Sequence, residues 1–185
     1  FFFKHLSPSV TVAFETIQAQ DGGRAHPSDT LRSIFGWDDR IAAYQWRPRD
    51  TVSALSGYSL AGAQVNYSGS LMQNVVSLGE GNILGYTTNW KSPWIEALGW
   101  LTPAPTGKPR LDLVRFGAHH GLMPLLTRRT VEMELAVHAE ASKLFFGENG
   151  PRSRGFFPTE TCFSTRLIPA LKAAGLEWSF VPNNH

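Results

Sequence analysis

A single cysteine, Cys162, stands in 185 residues. No disulfide can close within the chain, so stability has to come from a buried apolar core. One unpaired cysteine suits a reducing compartment, and no stretch combines a basic start with a small-residue cleavage site. The expectation is a cytoplasmic protein. No apolar run approaches the roughly 20 residues of a membrane-spanning helix. Charge is scarce and balanced, with 17 Lys and Arg against 15 Asp and Glu for a net charge of +2; the absence of a basic run argues against a nucleic-acid surface. There is no Gly-rich phosphate loop, no dinucleotide fingerprint and no Gly-x-Ser-x-Gly elbow. Repeats and low-complexity segments are absent as well, and the length fits one domain over residues 1–185 with a core of ordinary size.

Aromatic residues, in contrast, are plentiful. Six Trp among 185 residues are well above ordinary usage, and Trp and Tyr rings are faces on which sugars stack, although packing is the ordinary use of any one of them.

Strands and helices alternate along the chain. Val10, Val12 and Phe14 mark a first strand over Ser9 to Glu15, and Gln18 to Ser28 is a loop. A helical stretch opens at Asp38, is interrupted by Pro48 and restarts over Asp50 to Leu55. Ala61 to Tyr67 is a second strand, leading to a helix capped by Ser70 and closed by Gly79. A loop-rich insertion extends to Trp100, with one helical turn over Pro93 to Gly99. Arg110 to Phe116 is a third strand, and Thr130 to Gly147 has the clearest helical spacing. Last comes a strand–helix–strand unit. Arg154 to Phe163 is followed by a helix from the cap Ser164 to Gly175, with Pro169 imposing a bend or a 3₁₀ start, and then by Leu176 to Val181. Repeated strand–helix units predict an α/β fold, either a β/α barrel or a doubly wound sheet, with a site beyond the carboxyl ends of the strands.

Polar residues gather at those ends: Glu15, Asn66-Tyr67-Ser68, His119-His120 and Glu160. Glu160 has Phe156, Phe157, Cys162 and Phe163 around it, so it is expected at the edge of an apolar pocket that makes its pKa adjustable. It either takes part in chemistry there or caps a loop. His119 and His120 are adjacent, so on a strand they point to opposite faces and at most one enters the site. With no Asp or second His at ligand spacing, no metal and no cofactor is expected. That one histidine either bonds a hydroxyl-rich ligand or is structural. Cys162 is a small apolar residue behind Glu160, His138 lies on a helix face, and Glu132 and Glu134 are expected in solvent. A carboxylate in an aromatic-rich setting suits glycoside chemistry, which needs a second carboxyl group at roughly 5–5.5 Å in a retaining mechanism. Glu15 and Glu80 are the other acids near strand ends or site loops, and neither is a persuasive partner.

Three segments in order carry a family resemblance. Gly155-Phe156-Phe157-Pro158-Thr159-Glu160-Thr161-Cys162-Phe163-Ser164 resembles the nucleophile region of glycoside hydrolase family 57, with Leu167 to Leu171 and Gly175-Leu176-Glu177-Trp178 behind it. Val65 to Met72 resembles that family's strand and helix start, and His119-His120-Gly121-Leu122-Met123-Pro124-Leu125-Leu126 its histidine-containing loop. The resemblance implies an incomplete seven-stranded (β/α) barrel and a retaining mechanism on α-glucans or oligosaccharides without a metal, with Glu160 as nucleophile. His120, His119, Asn66, Tyr67 and Phe157 become the candidate substrate contacts. The acid/base is then an aspartate on a later strand, so this chain is expected to be the N-terminal portion of a longer domain, inactive by itself, that joins the remaining C-terminal part. Phe14-Glu15-Thr16-Ile17-Gln18-Ala19-Gln20 stands where the family has a His-Gln-Pro motif, so one sugar-binding histidine is missing. Two alternatives stay open: a non-catalytic carbohydrate-binding remnant, and a metal-dependent polysaccharide deacetylase on a related barrel.

Overall fold

The computed structural model describes residues 35–36, 40–90, 105–147 and 153–183. The expected first strand, the Asp38 cap and the helical turn at Pro93 to Gly99 lie outside them. The described chain starts with a π-helical stretch, Ala42–Trp46, that runs into α1, Arg47–Ala54. Pro48 lies at the beginning of α1, where its missing N–H has no partner to lose. Trp46 leaves helical geometry at φ −121°. The helix therefore restarts ahead of the predicted Asp50.

Four short strands follow, each linked to a helix. They are β1 (Ala63–Asn66), α2 (Gly69–Glu80), β2 (Leu111–Val114), α3 (Arg128–Phe146), β3 (Gly155–Phe156), α4 (Ile168–Ala173) and β4 (Trp178–Ser179). β1 pairs parallel with β2, Ala63 opposite Leu111 and Asn66 opposite Val114. A parallel bridge between Arg115 and Phe156 joins β2 to β3, and Gly155 opposite Trp178 joins β3 to β4. The strand order is thus the chain order. A doubly wound sheet reverses its order at a switch point; among the described residues this one does not. α2 packs on α3 and α3 on α4, so these helices share one face, as on the outside of a barrel. Among the described residues the result is an open α/β arc.

Alternation along the strands separates the two faces. Leu111, Leu113 and Phe156 point toward the helices and are 0–1% exposed. Leu111 and Leu113 join Met72, Val75 and Leu78 of α2 and Ala141 and Phe146 of α3 in one core. Phe156 joins Val131, Leu135, Ala170 and Leu171 in a second. Each such side chain contributes about 2 kcal/mol of burial. Gln64, Asn66, Trp178 and Phe180 alternate to the other face, which stays partly open.

Helix ends explain most differences from the sequence reading. Ser68, not Ser70, caps α2: its extended backbone lets Oγ accept from the Leu71 N–H at 3.1 Å. Gly79 does not close that helix, which continues to Glu80. Its role is proximity, since a methyl group there would stand 2.4 Å from the Thr87 carbonyl oxygen. Thr127 caps α3. Ahead of α4 the chain forms a 3₁₀ turn, Thr165–Leu167, and Pro169 falls at the start of the α-helix, as its missing donor dictates. Gly175 follows at φ +75°. β3 is shorter than predicted because the chain leaves the sheet for a 3₁₀ turn at Thr159–Thr161.

Candidate functional site

The carboxyl ends of β2 and β3 hold the candidate residues. After β2 the chain forms a loop, Gly117 to Gly121, braced on two sides. The first N–H groups of α2 need acceptors outside the helix; Gly69 and Ser70 donate to the carbonyls of Gly117 and Ala118 at 3.2 and 2.9 Å. From α3, the Glu134 carboxylate takes the His119 backbone N–H on Oε2 and the His119 Nδ1 on Oε1, both at 2.8 Å. Glu134 is only 8% exposed. The expectation that it lies in solvent is corrected: it faces the loop and its charge is used there. Glu132, one turn edge away, is exposed and paired with Arg128.

The two histidines therefore diverge. His119 is held by Glu134, whereas His120 presents Nε2 at 3.6 Å from Oε1 of Glu160. Glu160 sits in the tight turn after β3, with φ of 54° for itself and 55° for Thr161. Left-handed backbone is costly for any residue with a Cβ and a clear steric outlier for β-branched Thr161. Its surroundings hold it: Thr161 and Cys162 donate to the carbonyls of Pro158 and Thr159 at 2.9 Å, and Thr159 is buried. The turn projects the Glu160 side chain outward, 71% exposed. The expected apolar pocket does not form around it among the described residues, because Phe156 turns to the helix side and the carboxylate leaves the apolar layer.

Beside this pair runs a row of aromatic rings. His120 and Phe116 have ring centroids 5.5 Å apart, Phe116 and Phe157 6.4 Å, and Phe157 and Phe180 5.2 Å. Phe116, Phe157 and Phe180 occupy equivalent positions just past β2, β3 and β4, which is why a parallel register aligns them. Asn66 ends β1 and is half-buried. Tyr67 lies on the helix side, 5% exposed, its hydroxyl donating to the Tyr44 carbonyl; burial raises its pKa well beyond the ordinary phenol range. In this position it packs the core and does not reach the rim.

Sequence reasoning missed Glu134, Phe116 and Phe180. Glu134 had a readable signal: it stands three residues from Val131 and four from His138, both on the buried face of α3. His138 itself is completely buried, its Nε2–H donating to the Tyr67 carbonyl at 2.7 Å. Burial pushes its pKa down to about 4, so it is neutral. A cavity of about 290 Å³ lies on the helix side between α3 and α4, lined by Arg115, Leu135, Ala139 and Ala170; it shares no lining residue with the rim. Among the described residues no three His, Cys, Asp or Glu side chains converge as metal ligands, and no helix is long and apolar enough to cross a membrane.

A sequence model of glycosyl hydrolase family 57 matches residues 28–185. An alpha-amylase of Niallia circulans is 36% identical over 168 residues, which cover 88% of this chain and 13% of that protein. In three dimensions the chain is similar to the 4-alpha-glucanotransferase of Thermococcus litoralis, with a TM-score of 0.53 at 17% identity over 80% of this chain and 20% of the other. That likeness is one of fold. The chain spans 13% of the curated relative's length.

Proposed function

Because the chain belongs to glycosyl hydrolase family 57, we propose that it carries the nucleophile half of a retaining active site that cleaves or transfers α-glucans. The observation that supports this is the rim geometry. Glu160 projects from a strained turn at the carboxyl end of β3 with His120 Nε2 3.6 Å away, in the position where β/α folds assemble their chemistry.

In this reading the Glu160 carboxylate attacks the anomeric carbon while the glycosidic C–O bond breaks. The departing oxygen takes a proton from a second carboxylic acid. The ester so formed is then opened by water, giving hydrolysis, or by a sugar hydroxyl, giving transfer; the second carboxylate takes a proton from that attacking water or hydroxyl and so returns to its acid form. Two inversions retain the configuration. His120 is placed to hydrogen-bond a sugar hydroxyl beside Glu160, and the half-buried Phe157 with Phe180 offers rings for stacking. Asn66 is the remaining polar contact on the open face. The reading assigns the acid/base to an aspartate on a later strand of an incomplete seven-stranded barrel, contributed by the remaining part of the protein.

The test is turnover of a maltooligosaccharide by the longest natural reading frame containing this segment, beside its Glu160→Gln variant. The expected result is turnover by the parent and a loss on the order of 10⁴-fold or more in the variant. Sugar binding without turnover in the parent, unchanged by Glu160→Gln, would overturn the catalytic reading in favour of a carbohydrate-binding remnant.

A further inference from the structure

The His120–Glu160 pair cannot hold its own geometry. The two side chains are 60% and 71% exposed at 3.6 Å, and an exposed pair of this kind contributes too little to order two side chains against their rotamer freedom. Its geometry has to be imposed from beneath. Beneath it lies Glu134, with both carboxylate oxygens committed to one residue, His119, the immediate neighbour of His120. The side chain of Glu134 is 10% exposed and that of His119 56%, so these charge-assisted bonds are shielded from water at their Glu134 end. The Ala118 N–H also reaches the Glu134 carbonyl at 3.2 Å. At Gly117 even a methyl group would meet Met123 Cε at 2.9 Å and Glu134 Oε2 at 3.2 Å.

We infer that Glu134 is the positioning residue of this rim: by clamping His119 through both its amide and its imidazole, it sets the peptide that aims His120 at Glu160. His119 is then the handle and His120 the working group, which gives each member of the His-His pair its own task. Glu134 touches neither substrate nor Glu160. It acts through the loop, and the inference rests on the reading of Glu160 as nucleophile and His120 as its neighbour in the sugar site.

The test uses the longest natural reading frame and a double-mutant cycle on kcat/KM with a maltooligosaccharide. Glu134→Ala is expected to lower kcat/KM by about a hundredfold, the usual scale for a misplaced reacting geometry, and Glu134→Gln, which keeps one acceptor oxygen, to recover part of it. In a His120→Ala background the further loss on Glu134→Ala should shrink to less than about threefold, because the group it positions is gone. A merely structural role would give the same loss in both backgrounds. In parallel, amide exchange over residues 117–121 should rise at least about tenfold in Glu134→Ala while the α3 core amides keep their protection. Additive losses, or unchanged exchange in the loop, would overturn the inference while Glu160 remains the nucleophile. A parent without turnover, or a Glu160→Gln variant that keeps it, overturns the proposed function and this inference with it.

Discussion

The two faces of the sheet are built to opposite rules. On the helix side, Leu111, Leu113 and Phe156 are shut at 0–1% exposure between layers of apolar side chains. On the rim, Glu160 and His120 are 71% and 60% exposed, and two successive residues occupy left-handed backbone. One region gains its free energy from burial. The other stores strain and leaves charge open, which a protein tolerates only where the surroundings over-determine the conformation. The contrast teaches that one strand serves both regions: Leu113 lies under α2 and α3, and three residues on Phe116, itself only 3% exposed, begins the aromatic row that leads outward to the rim.

That division can be broken experimentally, beginning on the closed face. Leu113→Ala should destabilise the fold by about 2–5 kcal/mol, the cost of a cavity in a packed core, measured by urea unfolding; a loss below about 1 kcal/mol would mean that the core is not closed there. Acid comes next. His138 is neutral when folded, with its pKa pushed from its ordinary 6.5 to about 4 by burial. Between those values the unfolded chain binds a proton that the folded one refuses. The stability present above about pH 6.5 should thus be lost as pH falls toward 4, by roughly 3 kcal/mol in all. Asp112, whose carboxyl burial raises above its ordinary 3.8, acts in the opposite sense in the acid part of that range. Melting temperatures against pH for the parent and His138→Gln check this, the variant giving the flatter curve.

Two smaller effects sharpen the comparison from the open face. A methyl group at Gly155 would fall 2.0 Å from the Trp178 ring. The ring is 39% exposed and can swing outward, so Gly155→Ala should cost about 1–2 kcal/mol and shift the tryptophan emission to the red. An unshifted spectrum would show that the ring does not cover Gly155. Smallest is Glu160→Gln, which should change the unfolding free energy by less than about 0.5 kcal/mol, as an exposed substitution does, even though the same change is expected to abolish turnover. A large destabilisation would make Glu160 a structural residue and erase the difference between the faces.

Much of this was legible in the residues. The order of strands and helices, the 3₁₀ start ahead of Pro169 and the glycine after α4 all follow from local geometry that a few neighbouring residues impose; His119 and His120 do diverge, but in a loop and through Glu134, not by the strand alternation that the sequence suggested. The segments around Asn66, His120 and Glu160 were also enough to point to the family that the comparisons then matched over residues 28–185. The strand lengths, the cap at Ser68 and the burial of Tyr67 were not readable, since each depends on which neighbour competes for a backbone group or a place in the core.

By itself, then, the sequence determined the alternation of strands and helices and the family to which the chain belongs, because propensity and motif are properties of short stretches. Only the tertiary structure decided that the strands lie in chain order, that Glu134 is drawn from solvent onto the loop of His119, and that Phe116, Phe157 and Phe180 form one row. Those contacts join residues far apart in the chain. Their partners are chosen by the pairing register and by the burial of the helix face, and neither is written in any one segment.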